Sequence, residues 1–134
     1  MQYALIATIV VHVLAAVFWA GTTFGLARTD GASADRLFRP QMGAAVIAVL
    51  SGFYLWSLTH AGAGFGPAEQ ALAAGILSAF VAAGVQGALA GPALRRLRNS
   101  AGDVSAQKRL ATAYRISAAL LGVTVLTMTA ARFL

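Results

Sequence analysis

The stretch HVLAAVFWAGTTFGLAR, from His12 to Arg28, is almost wholly apolar between a histidine at its start and an arginine at its end. With the residues before it, it forms a run from Tyr3 to Ala27 that contains no Asp, Glu, Lys or Arg. A helix of about 20 residues crosses the roughly 30 Å hydrocarbon core of a bilayer, where the backbone must satisfy its own hydrogen bonds. We therefore predict a membrane-spanning helix here. No basic segment precedes the run, and it is too long for the apolar part of a typical signal peptide.

The composition extends this prediction to the whole chain. Of the 134 residues, 59% are hydrophobic and 10% are charged, which is too little polar surface to cover a soluble domain of this size. Three further apolar runs, at residues 40–59, 68–91 and 110–133, are also long enough to span a bilayer. Pro40 would lie in the first turn of the second helix, and Pro92 would end the third. Short loops between the runs predict an all-α fold, a single antiparallel four-helix bundle in the membrane.

The basic residues predict the orientation of this bundle. The net charge is +6, and nine of the ten Lys and Arg residues lie between Arg28 and Arg115, in or beside the first and third loops. The second loop, HAGAGFGP, contains none. By the positive-inside rule, loops one and three face the cytoplasm and both termini face outward, as in a multi-pass protein of a bacterial inner membrane. Charges confined to such loops do not form a nucleic-acid-binding groove, so the expected partner is the lipid bilayer and not DNA or RNA.

The histidine of the first run is the main candidate for a functional residue. His12 would lie about 12 Å below the outer boundary of its helix, where an unpaired imidazole is costly. His12, Ala16, Trp19 and Thr23 share one helix face, and a planar cofactor could lie against it. The alternative is a neutral His12 that is hydrogen-bonded to a neighbouring helix. Trp19 and His12 are therefore candidate cofactor contacts, and His12 is a candidate metal ligand.

The second histidine ends the second run on the same outer side. Gly52, Trp56 and His60 recur at intervals of four residues. Trp56 would serve as an interfacial anchor, and His60 is either a second ligand or a solvated side chain. A third possibility is that His60 pairs with Glu69 across the Gly-rich loop.

Two residues of the fourth run complete the candidate set. Met128 lies in the same outer half as His12, and a histidine with a thioether is a known axial pair for haem iron, while thioethers also bind Cu(I). Its alternative role is packing. Arg115, near the cytoplasmic end, would pair with a haem propionate or a lipid phosphate, or extend to the interface.

Small residues recur at helical spacing in several spans. Gly21 and Gly25, and Gly87 and Gly91, form two G-x-x-x-G motifs, and residues 71, 75, 79 and 83 are all Ala or Gly. Such faces let helices approach closely in lipid. They serve packing within the bundle or, as the alternative, a homo-oligomer interface.

These residues resemble a known family of small four-helix membrane proteins, the HemJ-type protoporphyrinogen oxidases and the related copper-resistance protein D-like domains. The resemblance lies in His12, Trp19, Gly21 and Arg28 of the first helix, and it continues through RLFRPQ (residues 36–41) and GFYLW (residues 52–56). It implies that His12 is an axial ligand of haem b. The family carries a lysine and a histidine in its third helix, and Gly75 and Gln86 stand in those places here. Its Asn-Glu pair in the fourth helix is also missing, so the resemblance implies haem binding in a related scaffold rather than protoporphyrinogen oxidation.

Three functions follow as alternatives. The first is a membrane b-type haem protein in electron transfer or haem-linked redox chemistry, with His12 and a second ligand from His60, Met128 or a redox partner. The second is a copper-handling protein that uses the same three side chains. The third is a structural or assembly subunit of a membrane complex.

Overall fold

The structure is a computed structural model that describes residues 1–62 and 64–134, and Ala63 of the Gly-rich loop lies outside the described residues. Regular structure in the described part is helical throughout: α1 (Gln2–Arg28), α2 (Ala34–Thr59), α3 (Pro67–Val85), a π turn (Gln86–Ala90), α4 (Gly91–Asn99) and α5 (Val104–Ala131). Because α3, the π turn and α4 form one continuous helical segment, the described chain has four helices long and apolar enough to cross a membrane. The predicted all-α four-helix membrane fold is confirmed.

The helices pack as two antiparallel hairpins that lie side by side. α1 packs along α2, and α3 packs along α5, while α1 also contacts α5. α2 and α3 contact each other much less. Both chain termini and residues 60–62 and 64–66, which flank Ala63, lie at one end, here called the terminal end. Loops 29–33 and 100–103 lie at the other, the basic end.

The third membrane helix does not end at Pro92, contrary to the sequence-based expectation. It continues to Asn99, and the π turn directly precedes the proline. In this turn the Gly91 N–H donates to the carbonyl of Gln86, five residues back. A proline inside an α-helix conflicts with the carbonyl four residues before it, and the wider π turn loosens the backbone at that place.

Pro40 is likewise not in a first turn. α2 begins at Ala34, six residues before the proline, because the polar segment after loop 29–33 is itself helical. The helices therefore extend past the apolar runs at the basic end. Their charged first and last turns lie beyond the span that hydropathy detects.

Packing density differs between the two halves of the bundle. The buried residues of α2 all lie between Ala34 and Ala48, so the last eleven residues of this helix, toward the terminal end, contain none. Those of α1 are Trp19, Thr23 and Leu26, in the half near the basic end. Outward-facing side chains such as Leu14 and Val17 are about two-thirds exposed, as expected for residues that contact lipid tails. In the terminal half α1 and α2 are therefore loosely packed, whereas α3 and α5 still bury Gly75 and Thr124 there, and this half holds the candidate site.

Candidate functional site

A cleft opens in the terminal half of the bundle, and all four membrane helices line it. Its walls are apolar and carry several small side chains, namely Ala16, Ala20, Ala48, Gly52 and Ala79. The cleft has a volume of about 90 Å³, and its empty space reaches about 660 Å³ when the open mouth is included. Phe53 on α2 is 65% exposed and Phe80 on α3 is 50% exposed, and both line the cleft. The mouth therefore lies between α2 and α3, which contact each other much less than the helices within either hairpin.

His12 is the only histidine that lines this cleft. Its Nδ1 lies 2.8 Å from the carbonyl oxygen of Ala48 and 3.1 Å from Oγ of Ser51. A carbonyl oxygen can only accept, so Nδ1 carries the hydrogen and donates it. The Ser51 hydroxyl hydrogen is engaged by the carbonyl of Ile47, at 2.6 Å, so this oxygen also accepts from Nδ1. The neutral ring then has its lone pair on Nε2, for which the described residues provide no hydrogen bond.

This tautomer is the one that metal-binding histidines commonly adopt. In such histidines one ring nitrogen donates to a carbonyl or carboxylate, which orients the ring and leaves the other nitrogen free to ligate. Nε2 of His12 is the only titratable nitrogen among the cleft-lining groups. The two sequence-based interpretations of His12 are therefore compatible, because the hydrogen bond to α2 uses only one of its nitrogens.

Gly52 makes the approach of His12 to α2 possible. A Cβ atom on Gly52 would lie 2.9 Å from Cε1 of His12 and 3.4 Å from its Nδ1. The distance to Cε1 is shorter than any normal contact, so a side chain here would displace the imidazole. Gly52, which recurs with Trp56 and His60 at intervals of four residues, therefore leaves room for the imidazole of His12.

Trp19 lines the cleft and is held by a buried network of amides and hydroxyls. Its indole Nε1 donates to Oε1 of Gln86 at 2.8 Å, and Nε2 of Gln86 donates to Oγ1 of Thr23 at 2.8 Å. Thr23 also accepts from Nε2 of Gln41 at 3.1 Å, and the Tyr114 hydroxyl donates to Oε1 of Gln41 at 3.0 Å. We call these five residues the amide network. It joins α1, α2, the π turn and α5, and all five side chains are at most 2% exposed.

Sequence reasoning missed this network as a unit. It named Trp19 and Thr23 for their helix face and Gln86 for its place in a family pattern. Gln41 and Gln86, which lie inside apolar runs, could have indicated such a network, because a side-chain amide in a membrane span requires a hydrogen-bond partner. The partner of each amide depends on helix rotation, which hydropathy does not report.

Met128 also lines the cleft, from α5. It packs where α3 and α5 approach closely, since a Cβ on Gly75 would lie 3.1 Å from its Cγ and 2.7 Å from Oγ1 of Thr127. Thr124 secures this crossing by donating to the carbonyl of Gly75 at 3.1 Å. The structure thus brings His12, Trp19 and Met128 to one cleft.

The other two candidates lie elsewhere. His60 follows the last residue of α2, where its ring stacks on Trp56 with centroids 5.3 Å apart and its Nδ1 lies 2.6 Å from Oγ1 of Thr59. Arg115 lies near the basic end of α5, where it forms an exposed ion pair with Asp30 at 2.6 Å. Neither residue lines the cleft. No group of three His, Cys, Asp or Glu side chains within the described ranges could hold a metal ion.

Comparisons of the chain with protein-family models, with curated proteins and with solved structures found no significant match.

Proposed function

We propose that this multi-pass membrane protein binds haem b in the cleft of its terminal half, with Nε2 of His12 as an axial ligand. The observation that carries this proposal is the hydrogen bond from Nδ1 of His12 to the Ala48 carbonyl, which leaves Nε2 as a lone-pair donor at an apolar cleft. A bound haem b would supply a one-electron redox couple inside the membrane.

The shape of the cleft is compatible with a flat macrocycle that is partly enclosed. The cleft volume of about 90 Å³ is smaller than the roughly 300 Å³ at which sites for small molecules begin, so part of the ring would extend through the mouth. In a bilayer this protruding edge meets acyl chains instead of water, so incomplete enclosure costs little. Small residues along the walls allow the ring to approach the helix backbones.

Three side chains would serve this group. His12 would hold the iron through Nε2, and the Met128 thioether, which lines the same cleft from α5, would supply a second ligand. The indole of Trp19, fixed by Gln86, would form part of the cleft wall against the ring. Electron transfer with a redox partner in the same membrane is the role that these parts suit best.

The test compares the two histidines. The wild type is purified in mild detergent with haemin supplied, and its oxidised and dithionite-reduced absorption spectra and haem content are measured. We expect a b-type spectrum that is lost in His12→Ala and retained in His60→Ala, the matched control outside the cleft. We expect Met128→Leu to keep the haem but to change its spectrum and potential.

Two results would reject the proposal. One is a wild type that binds no haem although it is monodisperse, and the other is a His12→Ala variant that binds as much as the wild type. Copper that is bound by a haem-free preparation and lost in both His12→Ala and Met128→Leu would favour the copper-handling alternative. A wild type that binds neither would leave a structural subunit as the surviving alternative.

We also propose that the basic end faces the cytoplasm of a bacterial inner membrane and that the cleft lies in the outer half. The positive-inside rule supports this orientation, since the basic residues concentrate at one end. Alkaline phosphatase fused after Leu134 should be active and a fluorescent protein fused there should be dark. The reverse pair of results would invert the orientation.

A further inference from the structure

A second recess lies at the basic end, beside the start of α5. Leu89 of the π turn lines one side, and the first turns of α5 contribute Val104, Ser105, Lys108, Arg109 and Thr112. The recess is shallow and open, and its volume is about 520 Å³. It lies outside the proposed haem-binding cleft, with which it shares no lining residue.

The recess combines two kinds of surface. Leu89 is 41% exposed and Val104 is 66% exposed, so both present apolar surface beside the recess. Ser105 and Thr112 add hydroxyl groups, and Lys108 and Arg109 add positive charge. Val104, Lys108 and Thr112 follow at intervals of four residues, so they lie along one side of α5.

The charge around the recess is strongly positive. Residues 91–109 contain five Lys and Arg residues and a single acid, Asp103. Oδ1 of Asp103 accepts from the backbone N–H of Ala106 as the N-cap of α5, at 3.0 Å. The ion pair recorded in the described part of the chain joins Arg115 to Asp30, so it does not involve these five cations.

We propose that this recess binds the phosphate headgroup of an anionic phospholipid. Lys108, Arg109 and the two hydroxyls supply donors for the phosphate oxygens. Leu89 lies ten residues before Asn99, the end of α4, so it is deeper in the bilayer than the basic end and lies where the first methylenes of the acyl chains would pass. A free phosphate ion would use the donors but not the apolar side, and this difference favours a lipid as the source of the phosphate.

The test uses detergent-soluble lipids and purified protein, so it does not depend on membrane orientation or on haem. The probes are dioctanoyl phosphatidylglycerol, dioctanoyl phosphatidylcholine and inorganic phosphate. The measured quantity is the probe concentration that gives half of the maximal rise in Tm, because a ligand of the folded state raises Tm. The variants are Lys108→Gln/Arg109→Gln and, as matched control, Arg36→Gln/Arg39→Gln. The control removes two exposed positive charges from the same end but not from the recess.

We expect the anionic lipid to act at lower concentration than the neutral lipid on the wild type. The recess variant should require about thirty-fold more of it, whereas the control should stay within about threefold of the wild type. Equal losses in both variants would show general attraction to a basic end and overturn the proposal. It would also be overturned if phosphatidylcholine or inorganic phosphate acted as well as phosphatidylglycerol. If the double variant does not fold, Lys108→Gln and Arg109→Gln are each measured by the same criteria.

Discussion

The substitution Gly52→Ala tests the geometry of the proposed haem-binding cleft most directly. The new Cβ would lie 2.9 Å from Cε1 of His12, whereas non-bonded carbons prefer about 3.5 Å or more. The imidazole must therefore move by about 0.6 Å, unless α1 and α2 separate by as much. A shift of this size lengthens the 2.8 Å contact between Nδ1 and the Ala48 oxygen to about 3.4 Å, beyond the usual hydrogen-bond range.

Two effects should follow from this displacement. Loss of the hydrogen bond costs about 1 kcal/mol, so the Tm of Gly52→Ala should lie about 4 °C below that of Gly43→Ala, which shares the intrinsic effect of alanine in a helix. Haem affinity should fall by about 10- to 100-fold, as is usual when the partner that orients a ligating histidine is lost. The tautomer also becomes free to change, because the carbonyl no longer fixes the proton on Nδ1.

Gly43→Ala is the matched control for this experiment. Gly43 lies on the same helix, and its added Cβ would meet nothing within 4 Å. It therefore reports only the intrinsic gain of alanine over glycine in a helix, about 0.5–1 kcal/mol. Tm and haem content are measured for both variants in the same detergent. Equal values for Gly52→Ala and Gly43→Ala would refute the reasoning about His12.

Three further substitutions probe the rest of the bundle. Gly75→Ala should lower the free energy of unfolding by about 1–3 kcal/mol, because its Cβ would lie 2.7 Å from Oγ1 of Thr127. Gly84→Ala, on the same helix, should not, because its Cβ would meet nothing within 4 Å. Equal Tm values for the two variants would contradict this. Tyr114→Phe leaves Oε1 of the fully buried Gln41 without a donor and should cost about 1 kcal/mol, seen as a lower Tm with unchanged haem content. Arg115→Gln removes an exposed ion pair and should cost less than about 1 kcal/mol; any loss of haem would instead indicate a propionate contact.

The face of the first helix that carries His12, Trp19 and Thr23 was predictable because these residues stay in register along the helix. With about 100° of rotation per residue, Trp19 lies about 20° from His12 on one side and Thr23 about 20° on the other. A row of this kind remains on one face whatever the neighbouring helices do. The four spans were predictable for a similar reason, since run length and hydropathy depend on the chain alone.

His60 and Arg115 show where spacing misleads. His60 is three four-residue steps beyond Ala48, and these steps accumulate to about 120°, so His60 turns away from the face that meets His12. Arg115 precedes Met128 by 13 residues, which is about 20 Å along the axis and about 140° around it. A residue can share a helix with the site, and even a bilayer half, and still lie outside it.

The π turn and the amide network could not be predicted from one sequence. Pro92 is a usual helix terminator, and only the packed structure reveals that the backbone widens before it and continues. The turn also carries Gln86 with its amide directed at Trp19 and Thr23. The sequence contains the polar residues, but their pairing depends on the rotation of four helices relative to one another.

The amide network and the cleft lie in different halves of the bundle, and the two halves have different roles. The network holds the helices together, and the cleft would bind the ligand. The amide network forms directional hydrogen bonds between the four membrane helices in the basic half. In lipid, burial of apolar side chains alone gives no attraction between helices. In the terminal half α1 and α2 can then remain loosely packed, because the helices are already fixed below it. Gly52 and Trp19 connect the two halves, since Gly52 admits His12 to α2 and Trp19 belongs to both. Substitutions at Gln41 or Tyr114 should therefore lower Tm more than they lower haem content. Gly52→Ala should do the reverse and lower haem content more than Tm. If the variants did not separate these two effects, the cleft would form only when the ligand is bound.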